Sequence, residues 1–85
     1  MMKQQIRALL EEVSELSCPV GTLSDSDDLF AVGLTSFAAV SLMMAIEDEF
    51  AVSFPDHLLT RSTFASIDAL SAAILLVQRT AVGEI

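Results

Sequence analysis

Ser36 lies where a turn containing Gly33 is followed by an unbroken helical pattern. The first amides of a helix have no helical partner, and with the positive end of the helix dipole they stabilise a phosphate held there. A serine hydroxyl at this point could therefore bear a phosphodiester. The alternative is that Ser36 or Thr35 only caps the helix, a frequent role for both residue types. Ala39 stands where a capping box with Ser36 would need Glu or Gln.

The other residues that could do chemistry are isolated from one another along the chain. His57 is the only histidine and Cys18 the only cysteine, so we find no nucleophile with a base and no metal-binding cluster. We interpret His57 as an exposed side chain. The acidic segment Asp25–Asp28 lacks the glycine and glutamate that an EF-hand loop requires. We therefore predict that the chain is not an enzyme and binds no metal.

Hydrophobic residues recur at the period of an α-helix in three long segments, and no segment alternates as a strand would. The spacing predicts helices over about 2–16, 36–51 and 64–79. A long ordered loop, 17–35, separates the first two helices, and Pro55 introduces a short helix over about 56–60. The fold class predicted is all-α, a small four-helix bundle with three principal helices and one short third helix.

The same periodicity predicts which helix faces form the core. For the second helix we expect a buried stripe of Ala39, Leu42, Ile46 and Phe50, with Met43 beside it. For the last helix we expect a stripe of Phe64, Ile67, Leu70, Ile74 and Val77. Ser62 or Thr63 is expected to cap that last helix.

The composition limits the partners and the location. Twelve Asp and Glu against four Lys and Arg give a net charge of −8, which repels nucleic-acid phosphates and anionic lipids. With 85 residues we predict a single, monomeric domain over 1–85. One cysteine excludes an internal disulfide, and no apolar run is long enough for a membrane span, so we predict a cytoplasmic location. Met1 and Met2, directly before a helical pattern, favour a free-standing polypeptide, with a domain cut from a longer protein as the alternative.

The string D-x-L-F-x-x-G-L-x-S-F resembles the acyl carrier protein family, and the resemblance extends over about the whole chain. Its residues here are Asp27, Leu29, Phe30, Gly33, Leu34, Ser36 and Phe37. The resemblance implies that a phosphopantetheinyl transferase attaches 4′-phosphopantetheine from coenzyme A to Ser36. It also implies that the thiol of this arm, and not Cys18, holds an acyl group as a thioester for partner enzymes.

Position 35 departs from the family pattern. The family usually has Asp before the serine, and this chain has Thr35, which can cap the helix but brings no carboxylate to the Mg²⁺ site of the transferase. The form G-L-T-S-F resembles free-standing carriers that receive an amino acid from stand-alone ligases related to seryl-tRNA synthetases. An aminoacyl carrier is therefore an alternative to a fatty-acid or polyketide carrier.

The outward face of the second helix departs from the pattern as well. Fatty-acid carriers usually have acidic residues near its start, and here we place Phe37, Ala38, Val40, Ser41 and Met44 on that face. We interpret this face as a docking surface for partner proteins, with Thr35 at its edge and with charges supplied by Glu47, Asp48 and Asp56. An acidic interaction module without a prosthetic group is the competing interpretation. The sequence leaves open whether the bundle encloses the cargo.

Overall fold

The computed structural model describes residues 2–83, with side chains only as far as Arg79. The predicted domain, 1–85, therefore includes residues 1, 84 and 85, which lie outside the described part.

Three α-helices and two short 3₁₀ turns form the fold. The helices are α1 (Met2–Val13), α2 (Ser36–Phe50) and α3 (Ile67–Gly83), and the turns are Val20–Thr22 and Asp56–Leu58. No strand occurs between residues 2 and 83, and the all-α class is confirmed. The second turn stands where we predicted the short third helix, and the first was not predicted.

The core lies between the three helices, with α1 packed against both α2 and α3. The apolar faces of all three helices meet there, as their periodicity requires. The large side chains that are completely buried are Ile6, Leu10, Leu29, Leu42, Ile46, Ile67, Leu70 and Ile74. All five residues of the stripe predicted for the last helix are buried.

Helix α1 ends at Val13, earlier than the predicted residue 16. The Ser14 hydroxyl donates to the Leu10 carbonyl at 2.6 Å, and the Ser14 amide donates to the same oxygen at 3.1 Å. Serine side chains compete in this way with helical hydrogen bonds. Beyond this point the Ser17 amide donates to the Val32 carbonyl at 2.8 Å, which directs the chain into the long loop.

Helix α3 begins at Ile67, three residues after the predicted start at 64. Its cap is Ser66, whose Oγ accepts from the Ala69 amide at 3.0 Å, so the expectation that Ser62 or Thr63 would cap was wrong. Phe64 is nevertheless buried, because the turn before α3 places its ring edge-on to the Phe54 ring, with the centroids 6.0 Å apart. A buried side chain in a turn was indistinguishable from a helical one by spacing alone.

The buried face of α2 is displaced from the predicted one. Ala38, which we placed on the outward face, is only 8% exposed, and it shares the core with Leu42 and Ile46. These residues are separated by four positions, the spacing of a single helix face. Ala39 and Phe50 are only partly buried and pack at the edge of the core.

Arg7 and Lys3 attach the long loop to α1. The Arg7 guanidinium donates to the Val20 carbonyl at 2.8 Å, to the Leu23 carbonyl at 2.9 Å and to the Asp25 carboxylate at 2.7 Å. Lys3 bridges Asp25 at 3.3 Å and Asp68 at 2.7 Å. The hydrogen bond from Arg7, and after it the one from Lys3, hold the pKa of the Asp25 carboxyl below its ordinary value near 3.8.

Within residues 2–83, no helix combines the length and the apolar character that crossing a membrane requires.

We predict that Asp25→Asn lowers the free energy of unfolding at neutral pH. The difference in this free energy between the variant and the parent should become smaller in acid. Because the folded-state pKa of Asp25 is depressed, the carboxylate stabilises the fold above its unfolded pKa, near 3.8. That contribution is lost as the pH falls through the lower folded-state value. Urea unfolding at about pH 7 and about pH 3 measures the difference.

Asp56→Asn is the matched control, since Asp56 is exposed and its side chain has no hydrogen bond or ion pair among the described residues. A stability difference between Asp25→Asn and the parent that is the same at both pH values would contradict the prediction.

Candidate functional site

The turn before Ser36 is fixed at both ends. The Leu29 amide donates to the Ala65 carbonyl at 2.7 Å, and the Leu34 amide donates back to the Leu29 carbonyl at 3.0 Å. Between them Gly33 has a φ of +112°, a backbone conformation that residues with a Cβ rarely adopt. The start of α2 therefore has a defined position relative to the segment before α3.

Thr35 caps helix α2. Its backbone is extended, with φ −92° and ψ 163°, and its Oγ1 accepts from the Ala38 amide at 3.0 Å. Of the two candidates for the cap, the structure thus selects Thr35, and Ser36 becomes the first helical residue. Ser36 is exposed, and its hydroxyl makes no hydrogen bond with any residue that the structure describes.

A cavity of about 290 Å³ opens beside Ser36. Its walls come from α2, from the loop before α2 and from the segment between the second 3₁₀ turn and α3. The lining residues are Phe30, Ser36, Ala39, Val40, Met43, Leu59, Thr60, Arg61 and Phe64. The cavity is therefore mainly apolar, with hydroxyl groups and one guanidinium at its border.

The exposed face of α2 carries an apolar strip, which we define as Phe37, Val40 and Met44. Their side chains are 83%, 54% and 60% exposed. Thr35 is exposed at the start of the strip, and Ser41 is half-buried beside it. The helix has no acidic residue in its first turn, so the surface next to Ser36 is apolar rather than charged.

The predicted acidic residues lie at the far end of α2 and are not equivalent. Glu47 is half-buried, and its Oε2 accepts from the Phe54 amide at 2.8 Å, so this carboxylate contributes to the fold. Asp48 is exposed, and Asp56 is exposed in the second 3₁₀ turn. Asp48 and Asp56 are therefore more available to a partner than Glu47.

The remaining chemistry-bearing residues form no second site. His57 is exposed, as expected, and Cys18 is a partly buried free thiol. Across residues 2–83, no three His, Cys, Asp or Glu side chains are grouped as a metal site would need.

Sequence reasoning did not find the far wall of the cavity. Leu59 and Thr60 were predicted only as part of the short helix over about 56–60, and no motif in the sequence connects them or Arg61 to Ser36. Phe30 was recognised in the string before the serine, but not as part of a cavity wall. The Arg61 guanidinium lies 4.0 Å above the Phe30 ring centroid, a cation–π contact that joins the two walls.

Comparisons with known proteins agree with this geometry. Residues 4–74 match the family described as phosphopantetheine attachment site. The chain is 46% identical over 76 residues to the aminoacyl carrier protein of Agrobacterium fabrum (strain C58), covering 89% of this chain and 92% of that protein.

Two solved structures are similar over nearly the whole fold. One is a chain in the crystal structure of engineered Bradyrhizobium japonicum glycine:[carrier protein] ligase complexed with carrier protein from Agrobacterium tumefaciens and ATP. It has a TM-score of 0.87 and 45% identity, covering 91% of this chain and 100% of that chain. The other is a solution structure of an Agrobacterium tumefaciens protein, with a TM-score of 0.74 and 45% identity over 92% of this chain and 94% of that chain.

The fold and the matched residues define a carrier protein, which holds its cargo on a covalently attached 4′-phosphopantetheine and is not an enzyme. The chain belongs to the phosphopantetheine-attachment family and, within it, to the aminoacyl carrier type.

The residues at the start of α2 fit such a prosthetic group. A phosphodiester needs an accessible hydroxyl and favours a helix N-terminus, and Ser36 is an exposed hydroxyl at the first position of α2. The arm supplies a thiol, which holds an acyl group as a reactive thioester. The cavity beside Ser36 has room for part of a tethered chain.

We predict that Thr35→Ala destabilises the fold by about 1 kcal/mol, because the Ala38 amide loses its side-chain acceptor. Thr35→Ser keeps a hydroxyl at the same position, so its loss of stability should be at most about half as large. Chemical denaturation of both variants measures the effect. Equal stability of Thr35→Ala and the parent would show that Thr35 does not act as the cap.

Proposed function

We propose that Ser36 is the attachment site of 4′-phosphopantetheine and that the arm carries an amino acid as a thioester. The observation that carries this proposal is that Thr35 and Ser36, the two hydroxyl residues at the start of α2, have different roles. Thr35 caps the helix through its own Oγ1, so the exposed hydroxyl of Ser36 has no structural task among the described contacts. It is the hydroxyl that a modifying enzyme can reach.

We propose a phosphopantetheinyl transferase as the first partner. The Ser36 oxygen forms a new bond to the phosphorus that bears the pantetheine of coenzyme A, and the bond to adenosine 3′,5′-bisphosphate breaks. The serine proton passes to a base of the transferase. Since α2 has no carboxylate in its first turn, and position 35 is Thr, the Mg²⁺ ligands must come from the transferase and coenzyme A.

We propose an ATP-dependent amino acid ligase as the second partner. Two findings support this choice over a fatty-acid or polyketide synthase. The chain is 46% identical to an aminoacyl carrier protein, and a similar chain belongs to the complex of an engineered glycine:[carrier protein] ligase with a carrier protein from Agrobacterium tumefaciens and ATP. An amino acid is small and polar, so it gains little from burial in a helical core.

We propose that partners dock on the apolar strip, Phe37, Val40 and Met44, next to Ser36. Apolar side chains this exposed on one helix face are typical of contact surfaces. Asp48, at the end of the same helix, adds a charge contact, and Ser41 lies between the two. Docking of this kind depends less on ionic strength than docking through an acidic helix.

We propose further that the chain acts as a monomeric, single carrier domain in the cytoplasm. The three helices share one core, and the only cysteine is free. The net charge of −8 opposes self-association and favours partners with basic surfaces.

Coexpression with a competent transferase should raise the mass of the parent by roughly 340 Da, the added phosphopantetheine. Ser36→Ala should stay at the apo mass, and Ser53→Ala, an exposed serine elsewhere, should be modified like the parent. Intact-mass spectrometry followed by peptide mapping measures this. Modification of Ser36→Ala to the same extent as the parent would disprove the attachment site.

Met44→Asp should lower kcat/KM for aminoacylation of the holo carrier by about tenfold, because a carboxylate is buried at the ligase contact without a partner. The loss should appear mainly in KM, since the arm and Ser36 are unchanged. Leu75→Asp is the matched control, because Leu75 is comparably exposed but lies on α3. An equal loss in both variants would contradict docking on the apolar strip.

The same variants distinguish an interaction module without an arm. In that case Ser36→Ala would keep partner binding and biological function, while Met44→Asp would lose both. For a carrier, Ser36→Ala abolishes aminoacylation completely.

A further inference from the structure

Arg61 is the one cation at the border of the cavity beside Ser36. The chain has only four Lys and Arg, and two of them, Lys3 and Arg7, are paired with carboxylates at the loop. Arg61 has no salt bridge with any residue in the described part of the chain. In a protein with a net charge of −8, a guanidinium without a salt bridge among the described residues thus lines the same cavity as the exposed Ser36.

The position of Arg61 is defined by its contact with Phe30. Its guanidinium carbon lies 4.0 Å above the Phe30 ring centroid, and the Phe30 amide donates to the Asp28 carboxylate at 3.0 Å. The segment that carries Arg61 is folded by Thr60, whose Oγ1 lies 3.1 Å from the Thr63 hydroxyl. Arg61 is exposed, and its guanidinium is held on one side by the Phe30 ring.

The contact with Phe30 leaves the N–H donors of Arg61 without a hydrogen bond to any residue that the structure describes. A guanidinium packs on an aromatic ring with its face, whereas its five N–H donors lie in its plane. Planar donors of this kind match the oxygens of a phosphate group. The Asp28 carboxylate of the adjoining loop accepts from the Phe30 amide, and the first turn of α2 has no carboxylate to compete.

We propose that Arg61 is a positioning residue for the phosphodiester on Ser36. Its in-plane N–H groups donate to the anionic phosphate oxygens, while its face stays on Phe30. The contact would hold the start of the arm at the cavity. This inference rests on the proposed attachment at Ser36 and assigns a role to a residue outside the serine motif.

The test compares the apo and holo forms of the parent, Arg61→Gln and Arg61→Lys, with Arg79→Gln as the control. Arg79 is an exposed arginine on α3 outside the cavity, and its replacement changes the net charge by the same amount. Intact mass establishes first whether each sample carries the arm. A parent that a panel of transferases leaves unmodified would contradict the proposed function, and the Arg61 contact with it.

For samples that carry the arm, two measurements decide the Arg61 contact independently. In ¹H–¹⁵N spectra, the Nε–Hε signal of Arg61 should shift between the apo and holo parent, and the signal of Arg79 should not. We also expect the melting temperature of the holo parent to exceed that of the apo parent by about 2–5 °C, the size of a charge-assisted contact in a domain of this length.

Arg61→Gln should lose most of this holo-minus-apo increment, Arg61→Lys should keep part of it, and Arg79→Gln should keep all of it. Added salt should reduce the increment in the parent, because a partly exposed ion contact is screened. Either an unchanged Arg61 signal or the same increment in Arg61→Gln and the parent would overturn the inference and leave the attachment at Ser36 intact.

Discussion

The burial of Leu29 is the constraint on which the presentation of Ser36 depends. Its side chain is completely enclosed, and its backbone is bonded in both directions, to Ala65 before α3 and to Leu34 at the end of the turn. The chain then turns at Gly33, whose positive φ is a backbone conformation that residues with a Cβ rarely adopt. The start of α2 and the far wall of the cavity are thereby held in one arrangement.

The charged residues of this fold have different structural roles in different regions. Lys3 and Arg7 hold the long loop on α1 and α3, and most of their interactions involve Asp25 or loop carbonyls. Acidic residues lie at the end of α2, away from Ser36. One of them, Glu47, also accepts a hydrogen bond from the Phe54 amide and so holds the segment after the helix. The surface around Ser36 is left apolar, apart from Arg61. A partner that approaches Ser36 thus meets hydrophobic side chains before it meets charge.

This arrangement suits a protein whose reactive group is attached to it rather than built from its own side chains. A carrier must be recognised by several enzymes, so it needs an accessible attachment point and a contact surface, and it needs no general base or metal site. The role of cap belongs to Thr35, so the capping of α2 does not depend on the Ser36 hydroxyl.

The sequence by itself determined the all-α class, the approximate extent of the helices, the buried stripe of α3 and the position of Ser36 at the start of α2. These properties follow from local spacing and from the turn residues around Gly33, which periodicity and motif can detect. Only the tertiary structure decided which hydroxyl caps α2, why α3 starts at Ile67, and that Arg61 lies on Phe30 beside the serine. The Arg61–Phe30 contact joins segments about thirty residues apart, and no local pattern records which distant surfaces will meet when the core closes. The two caps are local contacts, but neighbouring hydroxyls were equally suited to them by residue type, and only the folded backbone selects Thr35 and Ser66.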